Sequence, residues 1–229
     1  MSALVVAAFD FDGTLTDGGS VWRYVAAMVG RRKVALAGLV ILPRLAYAAV
    51  VGGPAIDAAK EALFVRTLAG LDAHELEERS AAFGVAHYHR HARADVRARL
   101  EWHRARGDRV VVVSASPESY VASAAAELGV DAVIATRLAV DPTGRITGRY
   151  DGRNCRGDQK VERLRRWIAD QAATDWSSAY VWAYGNSAGD RRLLAAADIG
   201  VNVGRLGRFG RLRAFTRLSE VVRDGRQPR

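Results

Sequence analysis

The run LVVAAFDF at residues 4–11 constrains the fold more than any other feature of this chain. It is apolar at nearly every position and has the length of one strand, the pattern of a strand covered on both faces. Similar runs follow at 109–116 (RVVVVSAS), 131–136 (DAVIAT), 179–185 (AYVWAYG) and 198–203 (DIGVNV). Helical patterns at 92–106, 117–128, 158–171 and 189–196 lie between them. Strands alternating with helices predict an α/β fold, a Rossmann-like parallel sheet with helices on both faces. Such sheets place their sites at the carboxyl ends of the strands. The polar residues fall at those ends: Asp10 and Asp12 after the first run, Ser114 and Ser116 after the second, Gly185 and Asn186 after the fourth.

Residues 20–88 carry no buried-strand signal and read as helices broken by Gly52-Gly53-Pro54. The expected organisation is therefore a core of residues 1–19 and 89–204, an α-helical cap inserted at 20–88 with hinges near 17–20 and 86–92, and a basic C-terminal tail at 205–229. Residues 137–153 alternate around Asp-Pro-Thr-Gly and predict a β-hairpin appended to the sheet.

Two carboxylates one residue apart on a turn repel each other unless they share a cation or a proton. In DFDGTLTD, residues 10–17, Asp10 and Asp12 can converge on one side, and Gly13 lets the backbone approach a phosphate closely. A divalent metal is their natural partner. One carboxylate can then attack while the other handles protons, with Mg²⁺ neutralising the charge.

Together with Ser114 in VVVVSAS, Lys160 in CRGDQK and YGNSAGD at 184–190, that turn resembles the four ordered motifs of the haloacid dehalogenase superfamily of phosphohydrolases. The insertion resembles the cap of its phosphoserine-phosphatase-like branch. AKEALFVRTLAGL (59–71) and NCRGDQKVERL (154–164) are similar to a bacterial subgroup that includes a phosphatidylglycerophosphatase. The resemblance implies that Asp10 is the nucleophile of an aspartyl-phosphate and Asp12 the general acid and base. It implies that Ser114 and Lys160 hold the phosphoryl group, and that Mg²⁺ sits on Asp10, the Asp12 carbonyl and Asn186, with Asp190 in support. Only Lys33, Lys60 and Lys160 escape the chain's preference for Arg, which marks Lys160 independently. Asn186 departs from the family pattern, where many relatives have Asp. A neutral ligand leaves less Coulombic hold on Mg²⁺, by analogy with the 10- to 100-fold losses seen when ligand support is removed.

The substrate is less constrained. Phosphoserine phosphatases use a Glu soon after the first motif, whereas residues 13–30 contain only Asp17 as an acid. The stretch RRKVALAGLVILPRLAYAAVVGG, 31–53, sets a basic triplet before an apolar run interrupted by Pro43-Arg44. It reads as a buried cap helix pair kinked at Pro43, as a segment lying on a membrane, or as a spanning helix in which Arg44 costs about 2.5–3.5 kcal/mol. Arg31, Arg32 and Lys33 would each add about 1 kcal/mol at an anionic surface. The expected substrate is a phosphate monoester, amphiphilic or phospholipid in one reading and phosphoserine or another small metabolite in another. A third reading is a weakly catalytic scaffold that binds anions or membrane.

The net charge of +9 favours anionic partners, but no nucleic-acid motif accompanies it, and none is expected to bind. The basic tail, with Arg205, Arg208, Arg211, Arg213 and Arg217, reads first as a solvated amphipathic helix. The single Cys155 fits a reducing compartment, and the N-terminus has no basic n-region, so the expected location is cytoplasmic, with peripheral membrane contact only in the reading that lays 31–53 on a membrane. His87, His89 and His91 alternate in a helical context and read as packing or solvated residues rather than ligands. Trp22, Tyr24 and Tyr47 are candidates for lining the cap pocket. The sequence is silent on oligomeric state.

Overall fold

The computed structural model describes residues 4–172, 175–204 and 212–223. Strands β1 (Leu4–Phe9), β2 (Arg109–Pro117), β3 (Ala132–Thr136), β6 (Ala179–Gly185), β7 (Ile199–Asn202) and β8 (Thr216–Arg217) form one sheet in the order β3-β2-β1-β6-β7-β8. Every pairing in it is parallel. Alternate residues of the same strands enter two separate cores. Ala7, Phe9, Val110, Val112, Trp182 and Tyr184 face one, while Val6, Ala8, Val111, Val113, Val181 and Ala183 face the other. The unbroken apolar runs thus have the cause inferred from them, burial on both faces.

Helices α5 (Ala94–Ala105) and α6 (Glu118–Ala126) add Val96, Leu100, Tyr120 and Val121 to the first core. Helices α7 (Asp158–Ala172) and α8 (Arg191–Ala196) cover the second with Leu164, Ile168, Leu193 and Leu194. The hairpin forms, as β4 (Leu138–Val140) and β5 (Ile146–Tyr150), but as its own two-stranded sheet rather than an extension of the large one. Asp141 closes its turn, its carboxylate accepting from the Thr143 and Arg145 amides at 2.8 and 3.1 Å. The tail also differs from a solvated helix. Its described part holds β8 and a short helix α9 (Leu218–Arg223), and buries Leu212, Leu218 and Val221. A two-residue strand is too short to leave a pattern in sequence. Arg205, Arg208 and Arg211 lie outside the described residues.

Between β1 and α5 run four helices: α1 (Val21–Val29), α2 (Arg31–Val51), α3 (Pro54–Thr67) and α4 (Ala73–His91). The two connections to the sheet lie side by side: the Asp17 amide donates to the His91 carbonyl at 2.8 Å and the Arg93 amide to Leu15 at 2.9 Å. Asp72 caps α4, accepting from the His74 and Glu75 amides at 3.0 Å each, an arrangement worth about 1 kcal/mol. Helix α4 rests directly on α6, because a Cβ at Gly84 would lie 2.1 Å from the Tyr120 carbonyl oxygen.

Helix α2 is a single helix of 21 residues with Pro43 inside, not a buried pair. Val34, Ala37, Ile41 and Ala48 are buried, yet Leu36, Leu39, Val40, Leu42, Tyr47, Val50 and Val51 are exposed. Its first turn carries Arg31, Arg32 and Lys33 against the positive end of the helix dipole, each costing about 0.3–1 kcal/mol. Neither its outward apolar residues nor these cations help the helix to fold.

Behind β1 a polar network crosses the first core. His103 hydrogen-bonds Asp108 at 2.8 Å through Nδ1 and the Tyr184 hydroxyl at 2.7 Å through Nε2, and Arg99 donates to the same hydroxyl at 2.9 Å. Tyr184 stacks on Phe9 at 4.3 Å, so the network buttresses the residue preceding Asp10. Burial pulls His103 down to about 4 although Asp108 opposes the shift. The unfolded chain takes up this proton below about 6.5, and the folded one only near 4. The His103 contribution to stability is therefore full above pH 6.5 and falls as the pH drops toward 4, by roughly 3 kcal/mol. In urea unfolding from pH 7 to 4.5, the wild type should lose more stability than His103→Gln does, by most of that amount.

Candidate active site

The site lies at the carboxyl ends of β1, β2 and β6, where parallel strands leave a crevice. Its centre is Lys160 from α7, which is 1% exposed. Its Nζ donates to Asp10 Oδ1 at 2.6 Å, to Asp190 Oδ1 at 2.7 Å and to the Val113 carbonyl at 2.7 Å, using all three of its protons. Burial alone would discharge this ammonium, but the two carboxylates hold its pKa above the usual lysine value. They do not share it equally. Asp190 is buried but kept below the ordinary carboxylate range by Lys160 and by hydrogen bonds from Ser187. Asp10 is raised by burial and by the nearby Asp190, against the pull of Lys160.

Asp12 is a different kind of acid. Its Oδ2 accepts from Ser20 Oγ at 2.8 Å and from Ser116 Oγ, while its Oδ1 is buried without a partner. Burial raises its pKa although both hydroxyls oppose the shift. A carboxyl anchored by one oxygen and free at the other is set to give a proton to a group arriving in the crevice.

Ser114, also buried, lies near the carboxyl end of β2, where the pairing with β3 shifts register, and accepts the Ser116 amide at 3.1 Å. The amide of Asn186 comes to the same turn. One of its atoms lies 3.0 Å from the Asp12 carbonyl, 3.2 Å from Asp10 Oδ2 and 3.3 Å from Thr14 Oγ1. With nitrogen there, Asn186 donates to these oxygens. With oxygen there, Asp10, Asp12 and Asn186 present three converging acceptors. Neighbouring ligands of an octahedral Mg²⁺ at 2.0–2.1 Å stand about 2.9 Å apart, so this triad fits such an ion. Gly13, with φ +76°, makes the approach feasible, because a Cβ there would fall 2.0 Å from the Asn186 amide.

All six predicted site residues come together: Asp10, Asp12, Ser114, Lys160 and Asp190 line one cavity of about 170 Å³, and Asn186 reaches the Asp10 carboxylate and the Asp12 carbonyl at the distances above. Two cations of this cavity, Lys60 and Arg156, were not among them. Lys60 reaches from α3 to donate to the Ala115 carbonyl at 2.6 Å and Asn154 Oδ1 at 2.8 Å. Burial brings it down to about 8. The scarcity of Lys that marked Lys160 marked Lys60 equally. Val21, Ile56 and Lys60 also line a second, apolar cleft of about 450 Å³ between α1, α2 and α3. Trp22 lines that cleft, whereas Tyr24 is core, bonded to Ser80 at 2.9 Å, and Tyr47 points outward. His87 packs among Phe11, Phe83 and His91, and no metal-ligating cluster of His, Cys and acidic residues occurs among the described residues.

Residues 7–195 match the family model of haloacid dehalogenase-like hydrolases. The chain belongs to the haloacid dehalogenase-like hydrolase family. Among curated relatives, protein CicA of Caulobacter vibrioides is 35% identical over 203 residues, covering 85% of this chain and 83% of that protein. A phosphoserine phosphatase of Lactococcus lactis is 33% identical over 102 residues, 44% of this chain and 45% of that enzyme. Two solved structures share the fold. A Bordetella pertussis protein of unknown function has TM-score 0.77 at 22% identity, covering 94% of this chain and 98% of its own. A substrate-bound phosphoserine phosphatase has TM-score 0.64 at 18% identity, covering 98% and 99%. The family's parallel sheet is thus present here with its motif residues at the strand ends.

Replacing Lys160 by Met would leave Asp10 and Asp190 buried without their shared cation. Loss of one partner of such a pair costs about 3–5 kcal/mol, and that drop should appear in chemical denaturation at pH 7. Adding Asp190→Asn to it should recover part of the loss.

Proposed function

We propose that the chain is a Mg²⁺-dependent phosphomonoesterase acting through an aspartyl-phosphate, and that its substrate is an amphiphilic phosphate monoester. The observation that carries the reading is the pairing in one cavity of Asp10, held on Lys160, with Asp12, whose Oδ1 is buried without a hydrogen-bond partner. An Asp10 oxygen attacks phosphorus as the ester P–O bond breaks, and Asp12 gives its proton to the departing oxygen. The Asp12 carboxylate then takes a proton from water, whose oxygen attacks phosphorus and releases Asp10 with inorganic phosphate. Ser114 supplies a hydrogen bond to a phosphoryl oxygen, and Lys160, its three protons already engaged, holds Asp10 in place and offsets the charge of the phosphoryl group. Asp10, the Asp12 carbonyl and Asn186 would hold Mg²⁺, which when bound offsets the negative charge of phosphate and nucleophile.

The amphiphilic substrate is supported by the apolar cleft, which meets the carboxylate cavity at Val21, Ile56 and Lys60. A monoester whose phosphate reaches Asp10 can lay an acyl chain among Leu45, Ala48 and Leu63. Phosphoserine is the competing substrate, favoured by the names of relatives rather than by the cleft.

Phosphate release from lysophosphatidate should require Mg²⁺, vanish in Asp10→Asn, and exceed release from phosphoserine at least tenfold in kcat/KM. Ala49→Trp, which fills the cleft, should remove that preference while sparing hydrolysis of para-nitrophenyl phosphate. A preference for phosphoserine in the unaltered protein would overturn the amphiphile. Asn186→Asp should tighten Mg²⁺ binding by about 10- to 100-fold in titration calorimetry.

A further inference from the structure

We propose that the outward face of α2 is a docking surface for an anionic lipid bilayer, on which the helix lies flat. At 100° per residue, Leu36, Leu39, Val40, Tyr47 and Val50 fall within about 100° of arc, facing away from the buried Val34, Ala37, Ile41 and Ala48. Leu39 is 68% and Val50 85% exposed, and most of the exposed large apolar residues among the described ones sit on this helix. A contiguous patch of this kind marks an interaction surface.

Charge identifies the occupant. The helix carries Arg31, Arg32, Lys33 and Arg44, all exposed, and no acid. Three of the four oppose the helix dipole, so their value lies outside the helix. Two copies of this face brought together would set like charges against each other, whereas an anionic bilayer supplies the missing negative charge next to hydrocarbon. At 21 residues the helix is long enough to span, but its inner side is already engaged by the cap. Lying flat leaves those contacts in place. Leu45, Ala48 and Ala49 on the flank of the same helix line the apolar cleft, so a docked helix would open that cleft to the membrane plane.

The proposal goes beyond the phosphatase reading and is tested without turnover. The full chain should sediment with vesicles of phosphatidylcholine containing phosphatidylglycerol, less so at high salt, and weakly with phosphatidylcholine alone. Leu39→Glu/Val50→Glu and, separately, Arg32→Glu/Lys33→Glu should each weaken that binding by about tenfold or more. Both should keep the wild-type circular dichroism and hydrolysis of para-nitrophenyl phosphate. Hydrogen exchange across residues 34–51 of the unaltered protein should slow when the anionic vesicles are added, a readout that needs no variant. Docking is overturned if the wild type ignores anionic vesicles, if the double variants bind as well as it does, or if size-exclusion shows a dimer that Leu39→Glu/Val50→Glu dissociates. Lipid-monoester turnover without vesicle binding would sink docking and leave the phosphatase standing. Binding without turnover would do the reverse.

Discussion

One buried ammonium holds this architecture together. Lys160 leaves α7, passes between the ends of β1 and β2, and spends its three protons on Asp10, Asp190 and the Val113 carbonyl. It thereby ties four segments distant in sequence to one point. A charge so placed is tolerable only while both carboxylates remain, since burying either ion alone costs several kcal/mol. The same constraint sets the chemistry. Two carboxylates on one cation leave an excess negative charge, and it is Asp10, not Asp190, whose ionisation is made costly. In the proposed reaction the nucleophile is thus the group held least comfortably, and a cation or an arriving electrophile relieves it.

Around that point the roles of two neighbouring acids are separated by their surroundings. Asp10 faces an ammonium, and Asp12, two residues on, faces Ser20 and Ser116 hydroxyls. Burial without a cation in direct contact raises Asp12. Two identical side chains acquire different properties because the turn at Gly13 sends them into different company. The buttress of Tyr184, His103 and Arg99 behind Phe9 supports this placement from the opposite side.

Much of this was legible in the sequence, and the reasons are physical. Strands buried on both faces have no polar side to show, so their runs stand out and give the sheet, while site residues at strand ends interrupt those runs and give the crevice. What escaped was of other kinds. Arg156 enters the cavity from the loop before α7, where one Arg among many carries no pattern, whereas Lys60 on α3 carried the same rarity signal as Lys160 without a motif around it. Strand β8 has two residues and no period at all. Helix α2 was the hardest case. Periodicity separates an apolar from a polar face, and a helix apolar on all sides gives no sign of which side is covered. Its length and composition suit burial, spanning and docking alike; only the packing of Ile41 inward and Leu39 outward separates them.

Asn186 draws these threads together. At its place an acid would add a third carboxylate to a cluster in which Lys160 already serves two, and would raise the cost of folding without metal. The amide removes that cost, because turned one way it donates to Asp10 Oδ2 and the Asp12 carbonyl and satisfies both. Turned the other way it offers an oxygen in the same place. The price is that a cation must first displace those hydrogen bonds and then gains no charge from the displaced group. Under the metal-site reading proposed above, affinity for a cation and stability of the empty protein are set against each other at this one residue, a trade expected wherever a binding site must persist without its ligand.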